Sequence, residues 1–393
     1  MAAKQSVIVL GLGIAGSSIA AALATRGHHV TAIEQFGPLN DRGSSHGDTR
    51  IYRRVPHEGN VYVEMANISQ HGWRAWNKAS GDNLYLECGG IDAGPEDSHM
   101  VAAAEKLCRE YHQPFQLFSG SAFNNEHPHF NLPSNWRVVY QPASGVVRPD
   151  ATRTFLHQQA RASGARLLFH ATVLAIEPSS TNVSVQTTHE TLTADALIVA
   201  AGSWLPKLLP ELKVSLSIER RVLAWFHPTA SENAAAHHMR HTNHTHPWIN
   251  NSPIFVFDAN GGWYGMPTPD GRIKIGHDKH LHQIIDPDLS PTIPRAEDAT
   301  KLSACIRNYF KGIDSKPQEM KSCIYTLTPD HNFIIDRHPD HENMLIFSCC
   351  SGHGFKYAPA YGEIAADLLA SKPRLDLTAF TLQHRGHKVT RFS

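Results

Sequence analysis

The sequence has no surplus of either charge: 36 Lys and Arg stand against 36 Asp and Glu, beside 27 histidines. That balance argues against a strongly basic nucleic-acid binder and against an acidic-tail protein. Charged residues are sparse, 18% of the chain, and hydrophobic residues make up 41%, a globular composition that leaves little room for long disorder. Cysteine is scarce too. The six present, Cys88, Cys108, Cys305, Cys323, Cys349 and Cys350, form no CxxC pair and no regular spacing, which argues against a disulfide framework. Beyond the N-terminal run discussed next, no apolar stretch approaches the roughly 20 residues needed to cross a bilayer. No internal repeat or low-complexity tract is present. A chain of 393 residues implies two domains, or one large α/β unit with an inserted second region, with a core large enough to need no staples.

What is present begins at the N-terminus. Lys4 precedes an apolar run from Val7 to Ala24 that mimics a secretory signal, but Gly11, Gly13 and Gly16 stand at GxGxxG spacing directly after it opens. The chain is therefore read as cytoplasmic. Ser6 to Leu10 reads as a buried parallel strand, Ser17 to Arg26 as an Ala-rich helix ended by Gly27, and His29 to Ile33 as a second strand closed by Glu34. In such a unit Gly11 permits the turn, Gly13 lets the backbone approach a pyrophosphate, and Gly16 lets helix and strand pack closely. The helix N-terminus offers N–H groups and the positive end of a dipole. Glu34 can accept hydrogen bonds from ribose hydroxyls. This predicts dinucleotide binding without separating NAD from FAD.

The segment from Gly43 to Arg54, GSSHGDTRIYRR, packs small, polar and basic residues where a doubly wound fold places a ligand-facing loop; its plainer reading is a solvated basic turn. A second pass follows, with a helix over 149–164, strands over 166–170, 173–177 and 196–200, and the small pair Ala201-Gly202. Residues 85–145 and 216–322 show alternating patterns with many Pro and Asn and suit a mainly β substrate domain. The nucleotide domain would then be discontinuous, over 1–84, 146–215 and 323–393. His237, His238, His241, His244 and His246 tempt a metal reading, but Asn, Thr and Pro between them give no fixed ligand geometry, so no metal is expected. The sequon Asn182-Val183-Ser184 carries no meaning in a cytoplasmic chain.

Near the C-terminus, Cys323 to Asp336 reads CIYTLTPDHNFIID, and Ser351-Gly352-His353-Gly354-Phe355-Lys356 then feeds a helix from Tyr361 to Leu369. The second string is another anion-facing helix start. Two such starts fit a flavin: the first suits the pyrophosphate of FAD, the second the negative charge that develops on a reduced isoalloxazine.

Taken together, the N-terminal glycine unit, Ser44-Ser45-His46-Gly47-Asp48-Thr49-Arg50, Cys323 to Asp336 and Ser351 to Lys356 make the chain resemble the flavoprotein amine oxidases that include monomeric sarcosine oxidase and N-methyltryptophan oxidase. The resemblance runs over nearly the whole chain. It implies a glutathione-reductase-like α/β FAD-binding domain with a mainly β substrate domain. It also implies oxidation of an N-methyl or cyclic secondary α-amino acid to an imine, with O2 reduced to H2O2, and favours a monomer; no nucleic-acid or membrane partner is expected. Cys323 matches the cysteine that carries FAD through a thioether; a buried cysteine is otherwise usually an inert small hydrophobe. Lys274, which alone reads as a solvent-facing strand lysine, matches the cation over the flavin where oxygen is reduced. Arg50 matches a residue on the opposite flavin face, and Arg53 with Lys356 match the pair that clamps the substrate carboxylate. His46, Tyr264, Tyr325 and His353 line the same region by resemblance. Further FAD contacts are expected at Ile14, Ala15, Gln35, Ser44, Ser45, Thr49, Val173, Ala201, Gly202, Trp204, Gly352, Gly354 and Phe355.

One position departs from the family pattern. A His commonly stands four residues after the lysine, whereas here Asp278 holds that place and the imidazole is His277. A one-residue shift along a strand turns a side chain to the other face, so either a bulge returns His277 to the site or Asp278 faces it. An aspartate there would favour the cationic amine and move the pH optimum upward. The rival readings are a dehydrogenase with another electron acceptor and a non-catalytic flavin-binding protein.

Overall fold

The computed structural model describes residues 4–229, 252–281, 283–289 and 293–383. The histidine-rich stretch His237 to His246 lies outside the described residues.

The chain opens as expected, with strands Ser6–Leu10 and His29–Ile33. Ser6–Leu10 sits in the middle of a six-stranded sheet, parallel to His29–Ile33 on one side and to Ala196–Val199 on the other. Met344–Ser348 extends that sheet in parallel, Ile334–Arg337 closes one edge antiparallel, and Arg166–Leu168 forms the other edge. Val7 and Val9 point to a core shared with the helices Ile14–Thr25, Pro149–Ala162 and Ala358–Leu369. Ile8 and Leu10 point to the opposite core, shared with Val183 and Val185. A strand buried on both faces must be apolar at consecutive positions, which is why this one reads as an unbroken apolar run.

The first helix starts at Ile14, three residues earlier than its alanine-rich stretch suggests. Gly13 is its N-cap in an extended conformation, and Ile14 N–H donates to Ser45 Oγ at 3.0 Å. Gly16, which reads as a helix breaker, lies inside the first turn because no side chain fits there: a Cβ would meet Gly11 O at 1.8 Å. Gly11 itself turns at φ +90°, a conformation that glycine adopts readily. The strand at Val173 leaves the main sheet to pair with Val183–Thr187, which pairs in turn with Thr191–Ala194, a three-stranded antiparallel layer over the sheet's second face.

The second architectural element is a nine-stranded sheet. It draws on Gly90–Gly94, Gln116–Ser119 and Arg137–Gln141, then on Ser217–Phe226, Ile254–Phe257, Trp263–Pro267, Ile273–His277 and Gln283–Ile284, and on Glu319–Leu327. One face packs Phe255, Phe257 and Ile275 against Leu302 and Ile306 of the helix Ala296–Tyr309 and against Phe130. The other face, carrying Lys274, looks toward the carboxyl ends of the six-stranded sheet. A small sheet of Arg50–Tyr52, Gly145–Val147 and Tyr85–Leu86 bridges the two. The molecule is thus a Rossmann-type α/β unit joined to a largely antiparallel sheet. No helix among the described residues is long and apolar enough to cross a membrane.

The close approach at Gly16 makes a direct test. Gly16→Ala should destabilise the fold by roughly 1 to 3 kcal/mol or more, since backbone cannot yield to the new methyl. Gly43→Ala, where nothing lies within 4 Å of the added Cβ, should be close to neutral. Denaturant unfolding of the two variants side by side checks the contrast.

Candidate active site

A cavity of about 510 Å³ runs between the carboxyl ends of the six-stranded sheet and the inner face of the nine-stranded sheet. At one end it is lined by Gly11, Gly13, Ile14 and Ala15 of the glycine turn, by Glu34, Gln35 and Phe36, and by Val173, Ala201, Gly202 and Trp204. At the other end it is lined by Arg50, Arg53, Lys274, Cys323, Tyr264, Tyr325 and the turn from Gly352 to Lys356, with Ser44 and Ser45 between. Residues far apart in sequence are brought together here. Gly16, His46, Thr49 and His277 do not line the cavity.

The nucleotide end fits a dinucleotide on its own geometry. The first intrahelical bond, Ser17 N–H to Gly13 O at 2.9 Å, leaves the N–H groups of Ala15 and Gly16 ahead of it without helical partners, at the positive dipole end. A side chain at Gly13 would press on Ser45 Oγ at 3.2 Å, so the bare backbone keeps the groove open. Glu34 Oε2 accepts from Leu12 N–H and Oε1 from Phe36 N–H, both at 3.0 Å, which fixes the carboxylate at the cavity wall. Burial pushes its pKa up despite those two donors. Phe36 packs edge-on to Trp204 at 5.5 Å, and Trp204 Nε1 donates to Asp288 at 2.7 Å, so the second sheet's loop meets the groove there.

At the other end every buried cation has an acid partner. The Lys274 side chain is fully buried, and its Nζ donates to Asp48 Oδ1 at 2.8 Å and to Thr49 O at 2.9 Å. Burial, and then Arg50, lower its pKa to about 8 against the pull of Asp48. Asp48 falls to about 2: burial opposes the shift, but Lys274 and Trp225 outweigh it. His46 is buried, its Nε2 has no hydrogen-bond partner, and burial with Arg50 and Lys274 lowers it to about 3, so the imidazole is neutral. Cys323 is 4% exposed; burial raises its thiol, while Arg50 and Lys274 act in the opposite sense. Tyr264 and Tyr325 share a hydrogen bond of 2.8 Å between their hydroxyls, and burial raises both.

Arg53 and Lys356 are drawn together by a residue that the sequence did not point to. Glu58 Oε1 accepts from Arg53 Nη2 at 2.6 Å and lies 3.9 Å from Lys356 Nζ. Burial pushes Glu58 up, but Arg53, His57 and Lys356 hold its carboxyl well below the ordinary range. From behind, Asp92 Oδ1 accepts from Arg53 Nη1 at 3.1 Å, and its Oδ2 accepts from Gln141 Nε2 at 3.0 Å. Glu58 is only five residues past Arg53, but an acid in a Pro-His-Glu-Gly turn looks like solvated loop. Asp92 lies inside the strand Gly90–Gly94, where no local pattern marks it as a partner of Arg53.

The choice at 277 and 278 is settled by register. Lys274 pairs with Met266, Tyr264 with Gly276 and Trp263 with His277, without a break. Alternation therefore puts 274, 276 and 278 on the cavity face and Ile273, Ile275 and His277 on the core face. No bulge intervenes. Asp278 lines the cavity, whereas His277 sits edge-on to Trp263 at 4.3 Å with Nε2 2.8 Å from Asn260 O. This corrects the assignment of His277 to the catalytic set. Among the described residues no group of His, Cys, Asp and Glu is arranged to hold a metal.

The fold and groove define a dinucleotide-binding oxidoreductase. The match to the family described as "DAO: FAD dependent oxidoreductase" spans residues 6–368, and the chain belongs to that family. It is 32% identical to monomeric sarcosine oxidase of Bacillus sp. (strain B-0618), over 99% of this chain and 98% of that one. It is 31% identical to N-methyl-L-tryptophan oxidase of Yersinia pestis (strain Pestoides F), over 96% and 98%. In fold it is similar to NikD, an unusual amino acid oxidase essential for nikkomycin biosynthesis, with a TM-score of 0.82, 20% identity, and coverage of 99% of this chain and 100% of that one.

The Arg53 cluster has a stability consequence. Arg53→Ala leaves two buried carboxylates facing each other, a loss on the order of 3 to 5 kcal/mol. Glu58 is depressed in the folded state, so its contribution is present above its ordinary pKa of 4.5 and lost as pH falls through the lowered value. The deficit should therefore be largest near neutrality and shrink below about pH 4.5, as read from denaturant midpoints across pH.

Proposed function

We propose that the protein is an FAD-dependent oxidase of an N-methyl or cyclic secondary α-amino acid, forming an imine and passing the electrons to O2 as H2O2. The observation that carries the reading is the carboxylate of Glu58 between Arg53 and Lys356: the two cations already grip an acid at the cavity wall. A substrate carboxylate drawn to the same two cations, beside Glu58, gains a guanidinium and a point charge. FAD, when bound, supplies acceptance of two electrons from the amine carbon and their delivery to oxygen.

Around it this chain's residues divide the work. The glycine turn and the N–H group of Ala15 receive the pyrophosphate, and Glu34 the ribose. We assign residues 1–84, 146–215 and 323–393, which hold the six-stranded sheet, to FAD and residues 85–145 and 216–322 to the substrate; the strand Glu319–Leu327 of the nine-stranded sheet crosses that boundary and carries Cys323. Arg53 and Lys356 orient the α-carbon, and orientation supplies much of the rate. Arg50 borders one side of the ring site, and Lys274 offers a fixed ammonium to charge that forms on oxygen. We assign Cys323, beside Arg50 and Lys274, the tethering role; burial raises its thiol, and those two cations act against that rise toward the thiolate, the form that attacks. Six free cysteines fit a reducing, cytoplasmic setting, and the family resemblance favours a monomer.

A screen of N-methyl and cyclic amino acids by peroxide release tests the reading; flavin bleaching without peroxide in air would instead indicate a dehydrogenase. Protein precipitated by acid should stay yellow, and Cys323→Ser should release the colour into the supernatant. Lys274→Met should slow reoxidation far more than reduction in stopped-flow measurements, and equal slowing of both would remove Lys274 from the oxygen step.

A further inference from the structure

Lys274 does not stand alone. Its cross-strand neighbour is Trp225, whose ring lies 4.7 Å from the ammonium, and Trp225 Nε1 donates to Asp48 Oδ2 at 2.9 Å. The other oxygen of Asp48 takes Lys274 at 2.8 Å and Thr49 N–H at 2.7 Å. One carboxylate therefore fastens both the indole and the ammonium, although it comes from the loop before Arg50 while they come from the nine-stranded sheet. Of the three N–H bonds of the ammonium, Asp48 and Thr49 O use two, and the residue lines the cavity.

The remaining charges around this point are mostly positive. Arg50 follows on the strand Arg50–Tyr52, and a Cβ at Gly47 would stand 3.2 Å from its Nη1 and 3.5 Å from Lys274 Nζ. Arg272, just before the lysine's strand, and Lys321, on Glu319–Leu327, lie over the ring of Trp225 at 5.8 and 5.9 Å, with Glu319 tied to both. Cys323 is on the same strand as Lys321, and His46 is neutral. A buried ammonium crowded by cations tends to lose its proton, and Asp48 is the carboxylate in contact with it.

We propose that Asp48 is the positioning residue of this site: braced by Trp225, it keeps Lys274 charged and aimed into the cavity, and it thereby sets the upper pH limit for reaction with O2. This deepens the function proposed above and rests on it. In that step the reduced flavin, anionic at N1, gives two electrons and its N5 proton to O2, solvent gives the second proton, and H2O2 leaves. Lys274 keeps its proton throughout and stabilises the negative charge on oxygen before protonation is complete. Asp48 itself does not line the cavity.

The test uses the oxidised holoenzyme without substrate, titrated with base while the flavin absorption spectrum is followed. Wild type should show a transition near pH 8 that is absent in Lys274→Met. Asp48→Asn should move it down by roughly 1 to 3 pH units, the usual effect of removing an opposite charge at this range, and Asp48→Glu should restore it in part. Trp225→Phe deletes the N–H that fixes Asp48 and should move the transition in the same direction by less, which keeps the proposal testable should Asp48→Asn fail to fold. In stopped flow, reoxidation of Asp48→Asn at pH 8 should fall at least several-fold with reduction by substrate unchanged. A transition that stays in place in both variants, or equal slowing of the two half-reactions, overturns the role of Asp48. A wild type that takes up no oxygen overturns the oxidase reading instead.

Discussion

A charge taken out of water must be met by another charge or by several hydrogen bonds, and this constraint organises the whole site. Lys274, Arg53 and Lys356 are each nearly inaccessible, and each has a carboxylate in reach: Asp48 for the first, Glu58 for the other two, with Asp92 behind Arg53. Apart from Arg53 and Glu58, the paired groups come from segments distant in sequence, so the contacts that prepare the cavity also fasten its loops to the nine-stranded sheet. A further pair, Arg220 and Asp298 at 2.6 Å, ties the strand Ser217–Phe226 to the helix Ala296–Tyr309 in the same way, with His280 on the second oxygen. Desolvation makes each pair costly to break, so the cations at the cavity wall are held in fixed positions.

The nucleotide end obeys a different constraint, that of space. Its selectivity comes from what is missing at Gly11, Gly13 and Gly16 and from N–H groups at one helix start. That is why it was legible from sequence: absent side chains at fixed spacing leave a pattern in one short segment. The strands at 6–10 and 29–33 were legible for a related reason, since burial on both faces forces an apolar run. The alternating strands of the second sheet could be anticipated as a class, but their order could not. Ser217–Phe226 lies between Ile273–His277 and Glu319–Leu327 through pairings that no local signal encodes. The departure of Val173 from the main sheet is equally invisible locally.

The cations of the site came to notice through motif resemblance, whereas their counter-ions did not. Arg53 and Lys356 belong to recognisable strings. Glu58 and Asp92 gain meaning only when folding brings a turn and a strand interior against the same guanidinium. Asp48 stood in plain view beside Arg50, but its partners, Lys274 and Trp225, are about half the chain away. Periodicity reports which face a residue takes and is silent on which buried charge it will meet.

The strand carrying Lys274 shows how much one residue of spacing can decide. With register unbroken, the imidazole at 277 belongs to the core beside Trp263, and the cavity receives Asp278 near the two tyrosines and Arg221. An imidazole at that wall could accept a proton from an ammonium substrate or remain neutral beside a free amine. A carboxylate instead attracts the ammonium and stabilises it before reaction. Electron transfer from the amine carbon requires the nitrogen lone pair, so that attraction favours binding at the expense of the reactive form. Arg221, itself paired with Glu219 at 2.7 Å, opposes part of this field.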